Sequence, residues 1–315
     1  MKRLLGPALL FIAIGLALYA GLYAATERLL QRTGHSNAFF KIANLQEHTV
    51  DWVILGASHA MPLDFADFNQ QMQQATGQHI VNLAAPGAGP LYNRFAFEHF
   101  LLDHRARNLL YVADSFAFYS RTWNEERFAD AKLLRRTPFD PALARSLCSY
   151  SKNEGVDARA VLDYATGFSK INNRERFQRD QWEGEMQFER AQRPSSTAVG
   201  KRIDYLYADG TSAEKLTRYL GVLFDVVERA QREGMRVVVI KMPLPPPFRE
   251  RLPDEAAFDS ALQRLLAQHG VDFHDFSAAI PDARKYFDTD HLNRTGLTEF
   301  FERDLKPILL AGGRN

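Results

Sequence analysis

One cysteine, Cys148, stands in a chain of 315 residues, so no internal disulfide can form. That excludes a small scaffold built on crosslinks and fits the cytosol and the periplasm equally. Charge of one sign is missing as well. The 39 Lys and Arg residues nearly cancel 38 Asp and Glu, for a formal net charge of +1. Nothing in that balance favours a nucleic acid partner. The nine histidines lack metal-ligand spacing; His99 and His104, five apart, would share a helix face poorly. Internal repeats and long linkers are absent too. What remains is a chain 46% hydrophobic and 24% charged, which is globular rather than disordered. Its length suits one large α/β domain with an insertion, or two small domains.

A different absence marks the N-terminus. No charge occurs from Leu4 to Ala25, a run of 22 residues after Met1-Lys2-Arg3. As a helix it is about 33 Å long, enough for a hydrocarbon core of roughly 30 Å. A cleaved signal peptide would have a shorter apolar region and a small-x-small cleavage site, and no clean site of that kind is present. The expectation is an uncleaved single-pass anchor. Lys2 and Arg3 then favour a cytoplasmic N-terminus, although Arg28, Arg32 and Lys41 weaken the bias. Tyr19 and Tyr23 fit an interfacial belt. We therefore divide the chain into 1–32, anchor and juxtamembrane helix, and 33–315, one α/β domain.

Within that domain, apolar runs alternate with amphipathic ones. Trp52–Leu55, His79–Ala84 and Asn108–Ala113 read as strands, separated by helices near Asp64–Thr76 and Tyr92–His104. After a break the pattern resumes. Ser212–Gly234 and Pro253–His269 read as helices, Met235–Lys241 and Val271–Phe276 as strands, and Gly296–Leu310 as a closing helix. Strands apolar on both faces belong to parallel sheets covered by helices. The predicted fold is a three-layer α/β/α sandwich of about five parallel strands. Residues 116–209 break the pattern and read as a helical insertion. Its tract 170–193 is rich in charge and aromatics. A solvated cap is the ordinary reading; Trp182 and Phe188 beside Arg and Gln would also suit sugar contacts.

Ligand sites in parallel sheets lie at the carboxyl ends of strands. Ser58, Gly87 and Asp114 all follow such ends. Far downstream, Phe287–Asn293 offers Asp288 and His291 three residues apart. A serine hydroxyl needs a base within hydrogen-bond reach, and the base needs an orienting acid. Ser58, His291 and Asp288 fill those roles. Asp290, adjacent to His291, is expected to point elsewhere, and His59 to be structural. The backbone amides of Ser58 and Gly87 are candidate donors to an oxyanion. Gly89 or plain turn geometry would also explain a glycine at 87. Asp114 sits at the site's edge, with Asn82 and Asn293 as weaker substrate-contact candidates. Position 60 is alanine and the acid lies beside the histidine, which argues against the nucleophile elbow of α/β-hydrolases.

Gly56-Ala57-Ser58, Asn82-Leu83-Ala84-Ala85-Pro86-Gly87 and Asp288-x-x-His291-Leu292-Asn293 resemble the first, second and last blocks of the SGNH (GDSL-type) hydrolase superfamily. The layout is similar to its membrane-anchored members of the alginate O-acetyltransferase and DltD type. The resemblance implies a Ser58–Asp288–His291 triad, no metal and no cofactor. It also implies acyl transfer to or from a cell-envelope glycan, often beside a membrane-bound O-acyltransferase. The domain would then lie outside the inner membrane, in the periplasm. One block departs: Val112-Ala113-Asp114-Ser115 stands where the family usually carries an oxyanion-hole asparagine, and an aspartate would repel an oxyanion. Three functions follow: a serine O-acyltransferase, an esterase with water as acceptor, or a catalytically silent glycan- or partner-binding protein.

Overall fold

The computed structural model describes residues 2–34, 37–130, 134–179, 181–193 and 195–312. Five parallel strands form one sheet: β1 (Thr49–Leu55), β2 (Ile80–Asn82), β3 (Arg105–Val112), β4 (Arg236–Lys241) and β5 (Asp272–Asp275). Their order is β2-β1-β3-β4-β5. The chain leaves β1 toward one edge and returns from β2 to the other side of β1. The strand order therefore reverses between β1 and β3, where parallel sheets open a crevice at their carboxyl ends.

Alternation along each strand explains the layers. Trp52, Ile54, Leu110, Val112, Val238 and Ile240 face one way. They pack with Phe68 and Met72 of the helix Phe68–Thr76, and with Leu297, Phe300, Leu305 and Leu309 near the C-terminus. The indole N–H of Trp52 donates to the Leu309 carbonyl at 3.2 Å, tying that layer to β1. Val53, Leu109, Tyr111, Val237 and Val239 face the opposite way and are also buried. The helix Ala213–Arg232 packs against β4 and the helix Pro90–Asp103. Helix–sheet–helix layering thus follows from strands apolar on both faces. The C-terminal helix, expected as one piece from Gly296 to Leu310, is Arg294–Phe300 and Lys306–Ala311 joined by a π-helical turn, Phe301–Leu305.

By its contacts the chain forms two compact units, 1–43 with 128–181, and 44–127 with 182–315. The second holds the sheet. The first holds the N-terminal helix Lys2–Thr33 and the helices Pro141–Asn153, Ala158–Thr166 and Phe168–Ile171. These bounds differ from those drawn from sequence at 32, 116 and 209. Residues 116–127 and 182–209 group by their contacts with the unit that holds the sheet. The N-terminal helix is long and apolar enough over Leu5–Thr33 to cross a membrane. The side chains of Lys2 and Arg3, on which the orientation expectation rests, lie outside the described residues.

Candidate active site

Strand β1 ends at Leu55, and the turn after it is held from three sides. The Gly56 amide donates to Asn93 Oδ1 at 3.0 Å, and the Ala85 amide to the Gly56 carbonyl at 3.4 Å. Asn82 at the end of β2 donates from Nδ2 to the Ala60 carbonyl at 2.8 Å and accepts from the Ala84 amide. Its side chain braces the backbone of the turn. Ser58 sits at the centre of this turn, almost wholly buried, and lines a cavity of about 130 Å³.

The other walls of that cavity include Gly87, Trp123, Trp182, Arg202 and Tyr205. Gly87 has φ +62°, and a Cβ there would lie 2.6 Å from the Trp123 ring. Backbone conformation and close approach both call for glycine. At Gly89 a Cβ would meet Asn124 Oδ1 at 2.5 Å, a packing reason independent of chemistry. The wall residue Trp123 is fixed by its indole N–H, which donates to the Leu206 carbonyl at 2.9 Å.

His291 is brought to the same end of the sheet by a turn that Asp288 folds. The Oδ1 of Asp288 accepts from the backbone amides of Asp290 and His291, at 3.1 and 2.8 Å. Both of its carboxylate oxygens also lie 2.9 Å from His291 Nδ1. The acid therefore shapes the loop and orients the ring together. With the proton on Nδ1, the lone pair is on Nε2. That atom is buried and has no hydrogen-bond partner among the described residues, Ser58 included. The ring is clamped by Phe287, stacked at 5.5 Å, and by Trp182, edge-on at 5.3 Å.

Next to this pair lies a network that sequence reasoning missed. His59 Nδ1 is 2.6 Å from Asp114 Oδ1, and its Nε2 is 3.2 Å from Asp290 Oδ2. The Nε N–H of Arg202 donates to Asp290 Oδ2 at 3.0 Å, and the Thr289 hydroxyl donates to Oδ1 at 2.6 Å. Burial opposes charge on His59, but Asp114 and Asp290 outweigh it and push its pKa up to about 10. Burial likewise opposes charge on Asp290. The neighbouring His291 ring, the Arg202 charge, and the His59 hydrogen bond and charge hold its carboxyl below the usual range. Two cations and two anions cancel within the network.

Two expectations change here. Asp290 does not point out of the site: it is buried, and its Oδ1 lies 3.6 Å from His291 Nδ1. Asp114 is not a bare charge beside an oxyanion, because the His59 imidazolium neutralises it. A metal is a poor fit among His59, Asp290 and His291, whose ligand atoms lie within 4.8 Å of one another. Both His59 nitrogens already face carboxylates, and a further cation would meet Arg202.

The remaining site residues divide clearly. Asn293 caps the helix Arg294–Phe300 by accepting from the Gly296 amide, and donates to the Arg190 and Arg284 carbonyls at 2.9 and 2.8 Å. Neither Asn82 nor Asn293 lines the cavity. Trp182 does line it, whereas Phe188 is buried against Phe65 and Phe68. A signal for His59 existed: a histidine buried behind a strand needs partners, and Asp114 ends the strand beside it. No local pattern announced Arg202.

No family model matches this sequence, and no curated protein matches it. Among solved structures, a candidate acylhydrolase of Bacteroides fragilis aligns at 10% identity and a TM-score of 0.42, covering 86% of this chain and 95% of its own. A GDSL-like lipase of Bacteroides thetaiotaomicron aligns at 10% identity and a TM-score of 0.42, covering 85% and 93%.

Proposed function

We propose that this chain is a membrane-anchored serine enzyme of the SGNH type that moves short acyl groups through an acyl-Ser58 intermediate. The observation that carries the reading is the buried His291, paired through Nδ1 with the partly exposed Asp288 and with no hydrogen-bond partner on Nε2 among the described residues, at the strand ends that also present Ser58 and Gly87. Ser58 Oγ attacks the acyl carbonyl carbon and its proton passes to His291 Nε2. The carbonyl electrons move to oxygen, facing the amides of Ser58 and Gly87. The intermediate collapses, the bond to the leaving oxygen breaks, and His291 returns the proton to it. A second hydroxyl, deprotonated by His291, then attacks the acyl carbon; the bond to Ser58 Oγ breaks and His291 returns the proton to that oxygen.

A cavity of about 130 Å³ beside Ser58 has room for a short acyl group such as acetyl. Trp123, Trp182 and Tyr205 beside it suit a sugar ring as acceptor. In this reading the acceptor is an envelope or exported polysaccharide, a membrane-bound O-acyltransferase supplies the acyl group, and the domain lies on the periplasmic face of the inner membrane. With water as acceptor the same residues make an esterase.

The test is hydrolysis of p-nitrophenyl acetate by the full-length chain in detergent. Ser58→Ala is expected to lower turnover by about 10²–10⁴-fold with unchanged thermal unfolding. Equal turnover in the two proteins would remove Ser58 as nucleophile. No turnover in either, with polymer acylation in cells unaffected by the substitution, would favour a silent binding protein.

A further inference from the structure

The unit formed by 1–43 and 128–181 grips the N-terminal helix deeper than a membrane span permits. Its contacts begin at Tyr19, whose hydroxyl donates to the Thr166 carbonyl at 3.0 Å. Tyr23 lies against Gly167, where a Cβ would come 2.1 Å from its ring. Beyond it, Glu27 pairs with Lys170 at 2.5 Å, and the Thr33 hydroxyl reaches the Arg176 carbonyl at 3.3 Å. From Leu5 to Leu22 every residue is exposed, but from Tyr19 onward one face of the helix already meets the unit, which leaves Leu5–Leu18 upstream of the first contact. Those fourteen residues span only about 21 Å as a helix, roughly 9 Å short of a 30 Å hydrocarbon core. If this helix crosses a bilayer, the part of the unit beside Tyr19 and Tyr23 must enter the bilayer with it.

The surface at that level is suited to entry. From Leu162 to Phe168 the exposed side chains are Leu162, Ala165, Thr166 and Phe168, none of them charged. Leu162 is 64% exposed and Phe168 61%, large apolar groups otherwise wasted in water. The one charge in the stretch, Asp163, is turned back to accept from the Ser169 amide at 2.9 Å. Exposed charged residues resume at Arg159 and Arg174, Lys170 between them being buried against Glu27, and Arg28 stands exposed further along the helix.

We propose that the tip Leu162–Phe168 is seated at the acyl–headgroup boundary of the bilayer that the N-terminal helix crosses. The missing 9 Å matches the roughly 5–10 Å to which interfacial segments bury their apolar face. The unit is then held by two attachments, one spanning and one lying in the interface, and cannot swing freely about its helix. Phe177, also exposed, lies level with Thr33 rather than Tyr19 and stays in water.

The inference rests on the spanning reading of the helix, and the test separates the two. In full-length protein carrying Cys148→Ser, single cysteines are placed by Ile12→Cys, Phe168→Cys or Phe177→Cys, and labelled with an environment-sensitive dye. Each is reconstituted in vesicles of phosphatidylethanolamine and phosphatidylglycerol and quenched with iodide. Shielding of positions 12 and 168 by about threefold or more relative to position 177 is expected. Shielding at 12 with less than that at 168 overturns the seated tip and leaves the span intact. Quenching at 12 equal to that at 177 removes the span, and the tip with it.

Discussion

His59 and His291 lie with ring centroids 4.8 Å apart at one end of the sheet, yet their surroundings give them opposite chemistry. His59 has a carboxylate on each ring nitrogen, so it holds a proton on both and serves as a buried cation. His291 has Asp288 on Nδ1 and no hydrogen-bond partner on Nε2 among the described residues, which is the arrangement the proposed base requires. What separates a structural histidine from a base is the second nitrogen. The two carboxylates of the intervening loop divide in the same way. Asp288 is partly exposed and orients the His291 ring; Asp290 is buried and joins His59 to Arg202.

Removing the acid on the reactive side should have the largest effect. Asp288→Asn keeps the shape but offers an amide to Nδ1, favouring the wrong tautomer of His291. Turnover should fall by about 10²–10⁴-fold. Because Asp288 is partly exposed, thermal unfolding should move little. A variant that keeps wild-type turnover would mean that Asp290, 3.6 Å from the same nitrogen, orients the ring instead.

The matching change on the structural side should act on stability. Asp290→Asn leaves His59 and Arg202 as buried or half-buried cations with too few anions. Breaking such a buried pair costs about 3–5 kcal/mol. A lowered urea midpoint with an unchanged slope is the expected result. A midpoint within error of wild type would show that the network contributes nothing net to folding.

The contrast between the histidines also marks what the sequence could and could not disclose. Asp288 and His291 are three residues apart, and Ser58 ends an apolar run; both are local patterns, readable without a fold. The strands were legible for the same reason, since a run apolar on both faces has few other homes. The network is assembled from positions 59, 114, 202 and 290, brought together by sheet order and by a segment that looked like a solvated insertion. Asp290 was misplaced by a sound local argument. Adjacent side chains do diverge, but here the divergent direction leads to Arg202 rather than to water. Asp114 seemed a liability because His59, although expected to be structural, had no partner named for it.

The pH dependence tests the cationic assignment of His59 directly. Its pKa in the folded chain is raised to about 10, above the ordinary 6.5. A group raised in this way stabilises the fold fully below its unfolded pKa and loses that contribution as pH climbs through the folded one. The window therefore runs from about 6.5 to about 10, and the folded chain holds the extra proton throughout it. Stability should decline with rising pH there by at most about 1.4 kcal/mol per unit. Asp290, held low, acts at the other end: its contribution is present above the ordinary carboxylate range and lost as pH falls through its folded value. Urea midpoints of wild type and His59→Gln from pH 7 to 9.5, below ordinary tyrosine titration, isolate the alkaline arm. The substitution should lower the midpoint at pH 7 and flatten the decline. Parallel curves would mean that His59 carries no extra proton, and that the two histidines differ in position alone.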